Sequence, residues 1–106
     1  MDTMTEPTRI DGARLWSRLM DMAKIGATDA GGSNRQALSD EDAAGRELFE
    51  GWAEAAGCDL QRDRIGNLFA RRPGADPSLP PVLTGSHLDT QPTGCLLYTS
   101  PSPRDS

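Results

Sequence analysis

Val82-Leu-Thr-Gly-Ser-His-Leu-Asp89 begins as an apolar, β-prone run and ends on an imidazole and a carboxylate. A short apolar run of this kind predicts a buried strand over Val82–Ser86. In open α/β sheets, ligands collect at the carboxyl ends of the strands. The polar end of this run is therefore where a site is expected. His87 and Asp89 stand two positions apart, and in extended backbone such residues point to the same face. An imidazole and a carboxylate can then converge on one spot. Imidazole is a natural ligand for zinc and related metals. A ligating histidine gives its other ring N–H to a carboxylate or carbonyl, which fixes the tautomer. That pattern casts His87 as a metal ligand and Asp89 as the group that orients it. Gly85 and Ser86 are small and leave room for a metal, and Pro92, Thr93 and Gly94 turn the chain away. On the residues alone a hydrogen-bonded structural histidine is the commoner alternative. His87 is the sole histidine, and one ligand does not make a three- or four-ligand site.

Working outward, helical periodicity predicts a first helix over about Asp11–Lys24. Asp11 is a good N-cap. Leu15, Trp16, Leu19, Met20 and Ala23 form one apolar stripe. Gly26 can take the left-handed conformation past the last turn. Ile25–Leu38 reads as a loop with a flexible centre at Ala30-Gly-Gly-Ser-Asn34. Loops of this length can reach a site, and Arg35 is the residue within it to watch, although a solvated surface charge is the commoner alternative. A second helix is predicted over Asp40–Ala56. Ser39 caps it, Asp40, Glu41 and Asp42 lie at the positive end of its dipole, and Gly57 stops it. Its buried stripe is Ala44, Leu48, Phe49, Trp52 and Ala55. Trp16, Phe49 and Trp52 read as core packing rather than a cofactor box. Cys58–Asp63 and Asn67–Arg71 flank a turn at Arg64-Ile-Gly66 and predict a hairpin. Pro73–Pro81 is a surface loop. The order of two helices, a hairpin and then a core strand is an α/β arrangement. It is the N-terminal part of a layered catalytic domain whose sheet needs further strands to complete it.

The chain has 106 residues and a net charge of −5. An acidic chain repels phosphate backbones and anionic lipid, so neither nucleic acid nor membrane is an expected partner. No apolar run approaches membrane-spanning length and no signal-peptide core follows the start, so a cytoplasmic location is expected. Cys58 and Cys95 give no disulfide framework. Three parts are expected: a disordered tail over residues 1–8, a domain piece over 9–94, and a foreign stretch over 95–106. That stretch, Cys-Leu-Leu-Tyr-Thr-Ser-Pro-Ser-Pro-Arg-Asp-Ser, has no periodicity and resembles the translation of a common transposase sequencing adapter. It is expected to be an artefactual, disordered tail and is excluded from fold reasoning.

Several stretches together resemble a known family. They are Arg9-Ile-Asp-Gly-Ala-Arg-Leu-Trp16, Ile25-Gly-Ala-Thr28, Ala37-Leu-Ser-Asp40 and Ala55-Ala-Gly-Cys58. They continue with Asp63-Arg-Ile-Gly-Asn-Leu-Phe-Ala-Arg-Arg-Pro-Gly74 and Leu79-Pro-Pro-Val-Leu-Thr-Gly-Ser-His-Leu-Asp-Thr-Gln-Pro-Thr-Gly94. They resemble the zinc-dependent amidohydrolases of the aminoacylase/carboxypeptidase superfamily. Within it they are most similar to the branch of N-carbamoyl-L-amino-acid hydrolase, β-ureidopropionase and allantoate amidohydrolase. The resemblance implies that His87 binds one metal of a pair and that Asp89 supports it as a catalytic-site residue. It implies two divalent metal ions in the parent enzyme: zinc, or manganese or cobalt in its place. The family continues Gly-Gly-x-x-Asp-Gly, with the aspartate bridging the metals. The first glycine is Gly94, and the bridging position falls on Tyr98, inside the foreign stretch. The general-base glutamate, the remaining ligands and a second domain would lie further downstream. The parent would then hydrolyse a linear C–N bond of a small-molecule substrate, an N-carbamoyl-L-amino acid first, with allantoate or a peptide-like amide as alternatives. It would do so as a homodimer. The chain itself is expected to be inactive. The alternative of another class is a small, acidic, non-enzymatic interaction module with a structural His87.

Overall fold

Asp11 closes its carboxylate over the backbone N–H of Arg14 at 3.0 Å, and helix α1 (Gly12–Lys24) starts there. The computed structural model describes residues 8–93. The expected N-terminal tail before Thr8 and the stretch with Cys95 and Tyr98 lie outside the described residues. α1 ends as its sequence predicts: the Ile25 N–H bonds back to the Met22 carbonyl, and Gly26 takes a φ of 82°.

Helix α2 (Asp40–Ala55) stops one residue short of the prediction. Ser39 Oγ accepts the Asp42 N–H at 3.1 Å, and the Asp42 carboxylate reaches back to the Leu38 N–H at 3.1 Å. This reciprocal pair satisfies donors that a helix start leaves orphaned. At the other end Gly57 has a φ of 84°. There the Cys58 N–H bonds to Ala53 O and the Gly57 N–H to Glu54 O. This is a Schellman closure, and only glycine adopts that φ without cost.

Strands β1 (Asp59–Arg62) and β2 (Leu68–Arg71) pair antiparallel, with Asp59 opposite Arg71 and Arg62 opposite Leu68. The turn between them is organised by Asp63. Its carboxylate accepts the N–H groups of Ile65 at 3.1 Å and Asn67 at 2.8 Å, and the Asn67 side-chain amide at 2.7 Å. The hairpin lies against α2, tied by the Arg62–Glu50 ion pair and by Arg46 donating to the Gly66 carbonyl. The Arg18 guanidinium sits 5.4 Å from the centre of the Trp52 ring and links α1 to α2.

Three expectations are corrected. The core strand over Val82–Ser86 does not form: among the described residues this segment has no strand partner, and Val82 is 97% exposed. A strand needs a neighbouring edge for its N–H and C=O groups, and the two-stranded hairpin is the whole sheet among the described residues. The described residues cover the α1 stripe only in part, leaving Met20 and Ala23 half-buried. Leu15, Trp16 and Leu19 are about half exposed, and the buried apolar side chains are instead Met22 and Ala53. In α2, Ala44 and Ala55 are exposed while Gly45 is buried. The Ile25–Leu38 segment is a loop, as expected, and an ordered one. Ala27 and Ser33 form an antiparallel bridge, and the Gly31 N–H bonds to the Thr28 carbonyl at 3.0 Å. Among the described residues no helix is long and apolar enough to cross a membrane.

Candidate functional site

His87 and Asp89 meet, as residues two apart on one segment can. His87 Nδ1 lies 2.8 Å from the Asp89 main-chain carbonyl oxygen and 3.3 Å from its carboxylate Oδ1. Both neighbours are acceptors, so Nδ1 is the nitrogen that carries the proton in a neutral ring. Nε2 then keeps its lone pair, the form in which imidazole ligates a metal. The pair stands open to solvent, with the side chains 77% and 43% exposed. An exposed pair of this kind adds little stability by itself, so its geometry must be held from elsewhere.

It is held from behind by Arg35. The sequence predicts a solvated cation; the structure buries Arg35 to 6% exposure. Its Nε donates to the Leu88 carbonyl at 2.9 Å, and its Nη1 donates to the carbonyls of Ile25 at 2.7 Å and Met22 at 3.0 Å, with Ser33 Oγ at 3.2 Å. The Arg35 peptide unit joins the same segment. Its N–H donates to Thr90 Oγ1 at 2.7 Å, and its carbonyl accepts the Thr90 N–H at 2.7 Å. Burial lowers the guanidinium pKa from its ordinary value, and the carboxylates of Asp42 and Asp89 oppose that shift. Arginine stays charged through such a shift. Buried Asp42 and half-exposed Asp89 thus serve as counter-charges for an otherwise costly buried cation.

Gly45 explains how the side chain fits. A Cβ there would come 2.9 Å from Arg35 Cδ and 3.3 Å from Met22 Sδ. A helix-interior glycine weakens a helix, so it signals a close approach. This is the one sequence feature that could have exposed the buried arginine.

Among the described residues no three His, Cys, Asp or Glu side chains gather to hold a metal. His87, with its free Nε2, fits one ligand position, and Asp89 fits the orienting role behind it. Cys58 is a free, half-buried cysteine.

No family model matches the chain. The chain is 55% identical over 89 residues to the N-carbamoyl-L-amino-acid amidohydrolase of Rhizobium meliloti, covering 84% of itself and 21% of that protein. It is 34% identical over 73 residues to the allantoate amidohydrolase of Escherichia coli, covering 69% of itself and 18% of that relative. A crystal structure of a hydantoinase/carbamoylase family amidase from Burkholderia ambifaria superposes with a TM-score of 0.79 at 60% identity, over 82% of this chain and 21% of that one. The chain thus spans about a fifth of the length of the relatives it matches. Its two helices and hairpin are a part of that much longer α/β fold. The chain belongs to the hydantoinase/carbamoylase amidase family, of whose length it covers about a fifth.

Proposed function

We propose that this chain carries one corner of the binuclear metal site of an N-carbamoyl-L-amino-acid hydrolase, with His87 as a ligand to one metal and Asp89 as its orienting partner. The observation that carries the reading is the His87 ring. Nδ1 is committed to two oxygens of Asp89, which leaves Nε2 as the metal-binding nitrogen. The 55% identity to an N-carbamoyl-L-amino-acid amidohydrolase supports the substrate class. Zinc suits a histidine-containing site, with manganese or cobalt as alternatives. When bound, paired divalent metals polarise the scissile carbonyl and lower the pKa of water. The contribution of these residues is to fix the tautomer and aim of one ring. By the family resemblance the protein works as a homodimer, and its free Cys58 suits a reducing, cytoplasmic compartment. Allantoate is the second substrate reading, favoured by the 34% identity to an allantoate amidohydrolase.

Among the described residues no three potential metal ligands gather, too few for turnover. The test follows the reading frame in the source DNA past the codon for Gly94 and expresses the longer protein. It should release ammonia from N-carbamoyl-L-amino acids in the presence of divalent metal, while the 106-residue chain should not. Release by the longer protein from allantoate alone would move the assignment to the second substrate. Release from neither would overturn the hydrolase reading.

A further inference from the structure

The geometry points to Arg35 as the positioning residue of the His87–Asp89 pair: it clamps the backbone on both sides of Asp89, so that both Asp89 oxygens stay on His87 Nδ1. This inference rests on the reading of His87 as a ligand. The clamp has two arms. On one side of Asp89, Arg35 Nε holds the Leu88 carbonyl at 2.9 Å. On the other, the Arg35 main chain pairs with Thr90 twice, at 2.7 Å through each bond. Thr90 Oγ1 also donates to the Ser33 carbonyl at 3.3 Å, so the whole loop from Ser33 to Arg35 is locked to this segment. Asp89 is the residue between the arms.

The far end of the guanidinium is anchored to the last turn of α1, through the carbonyls of Met22 and Ile25. A cation there complements the negative end of the helix dipole. The clamp therefore ties the exposed His87 segment to a regular element rather than to another loop. The surrounding residues agree with a dedicated seat. Ser33 is 3% and Asp42 7% exposed, and Gly45 leaves space where any Cβ would press on Arg35 Cδ at 2.9 Å.

Lysine cannot reproduce this arrangement. The planar guanidinium sends donors in several fixed directions, toward Leu88 on one side and toward Met22 and Ile25 on the other. An ammonium is a single donor point and keeps only the charge. Partners that orient a ligating histidine typically alter metal affinity by about 10–100-fold when removed.

The experiment uses the longer protein with Arg35→Lys, Thr90→Val and Thr90→Ser. Two readouts are taken: apparent affinity for zinc, and the ring-nitrogen NMR signals of His87 in the metal-free protein. Arg35→Lys and Thr90→Val should weaken zinc binding about tenfold or more and shift His87 away from a single Nδ1–H tautomer. Thr90→Ser keeps the hydroxyl and should restore both. If Arg35→Lys fails to fold, the two Thr90 variants carry the test, since each changes one small group. Zinc affinity within about twofold of the parent with an unchanged His87 tautomer, in Thr90→Val or in a folded Arg35→Lys, overturns the positioning role. A parent protein that hydrolyses no carbamoyl substrate, yet shows the tautomer shift in Arg35→Lys, would remove the hydrolase reading and leave the clamp standing.

Discussion

Around Arg35 four oxygens accept from one guanidinium, and that explains why a lone cation in a glycine-rich loop is not on the surface. Its acceptors lie at Met22 in α1, at Ile25 just past its end, and at Ser33 and Leu88, and the most distant is 53 positions away in sequence. No local pattern encodes such a partner, so the residue type alone suggests a solvated charge. His87 and Asp89 were legible because their contact spans only two positions. Gly45 allows the burial to be tested in the longer protein. Alanine gains about 1 kcal/mol over glycine in a helix interior, whereas overpacking a filled seat costs about 1–3 kcal/mol. Because Arg35 is pinned by its bonds and cannot swing aside, packing wins, and Gly45→Ala should destabilise by about 1 kcal/mol net. The urea midpoint checks this, and a midpoint raised by alanine would show that the seat is slack.

The helices and the hairpin were readable because their signals are local. Asp11 and Ser39 cap as expected, and Gly26, Gly57 and Gly66 take the left-handed φ that ends helices or closes the turn. The segment Val82–Ser86 shows the converse. Its composition is that of an inner strand, but a strand exists only beside another, and among the described residues this segment pairs with neither edge of the hairpin. The α1 stripe is legible as amphipathic for the same reason that it is only partly covered here: periodicity tells which face is apolar, not what covers it. The hairpin turn also has a pH signature. Hydrogen bonds from Asn67, first through its side chain and then its backbone, lower the Asp63 pKa below its ordinary value of 3.8, despite full exposure. A lowered carboxyl favours the ordered turn while ionised. Its contribution is therefore fully present above the ordinary value and lost as pH falls through the depressed one. The Ile65 and Asn67 amides should lose hydrogen-exchange protection below about pH 4, and Asp63→Asn should abolish that dependence. Unchanged protection at lower pH would show that the carboxylate does not hold the turn.

As a whole the described chain is two capped helices and a hairpin around a very small interior, with Met22 and Ala53 its only buried apolar side chains. Large apolar side chains on α1 and at Val82 and Leu83 stand in solvent. In family members of about five times this length, as at 21% coverage, further chain is available to cover such surfaces. The same division holds for the chemistry. The proposed ligand His87, Asp89 beside it and Arg35 behind them are all within residues 22–90, and the described residues gather no complete metal cluster. Whether His87 is a ligand decides the proposed function. Metal content per protomer, measured on the longer protein with and without His87→Ala, is the direct test. We predict two divalent ions per protomer in the parent and no more than one in the folded variant. Two ions retained in His87→Ala would contradict the assignment.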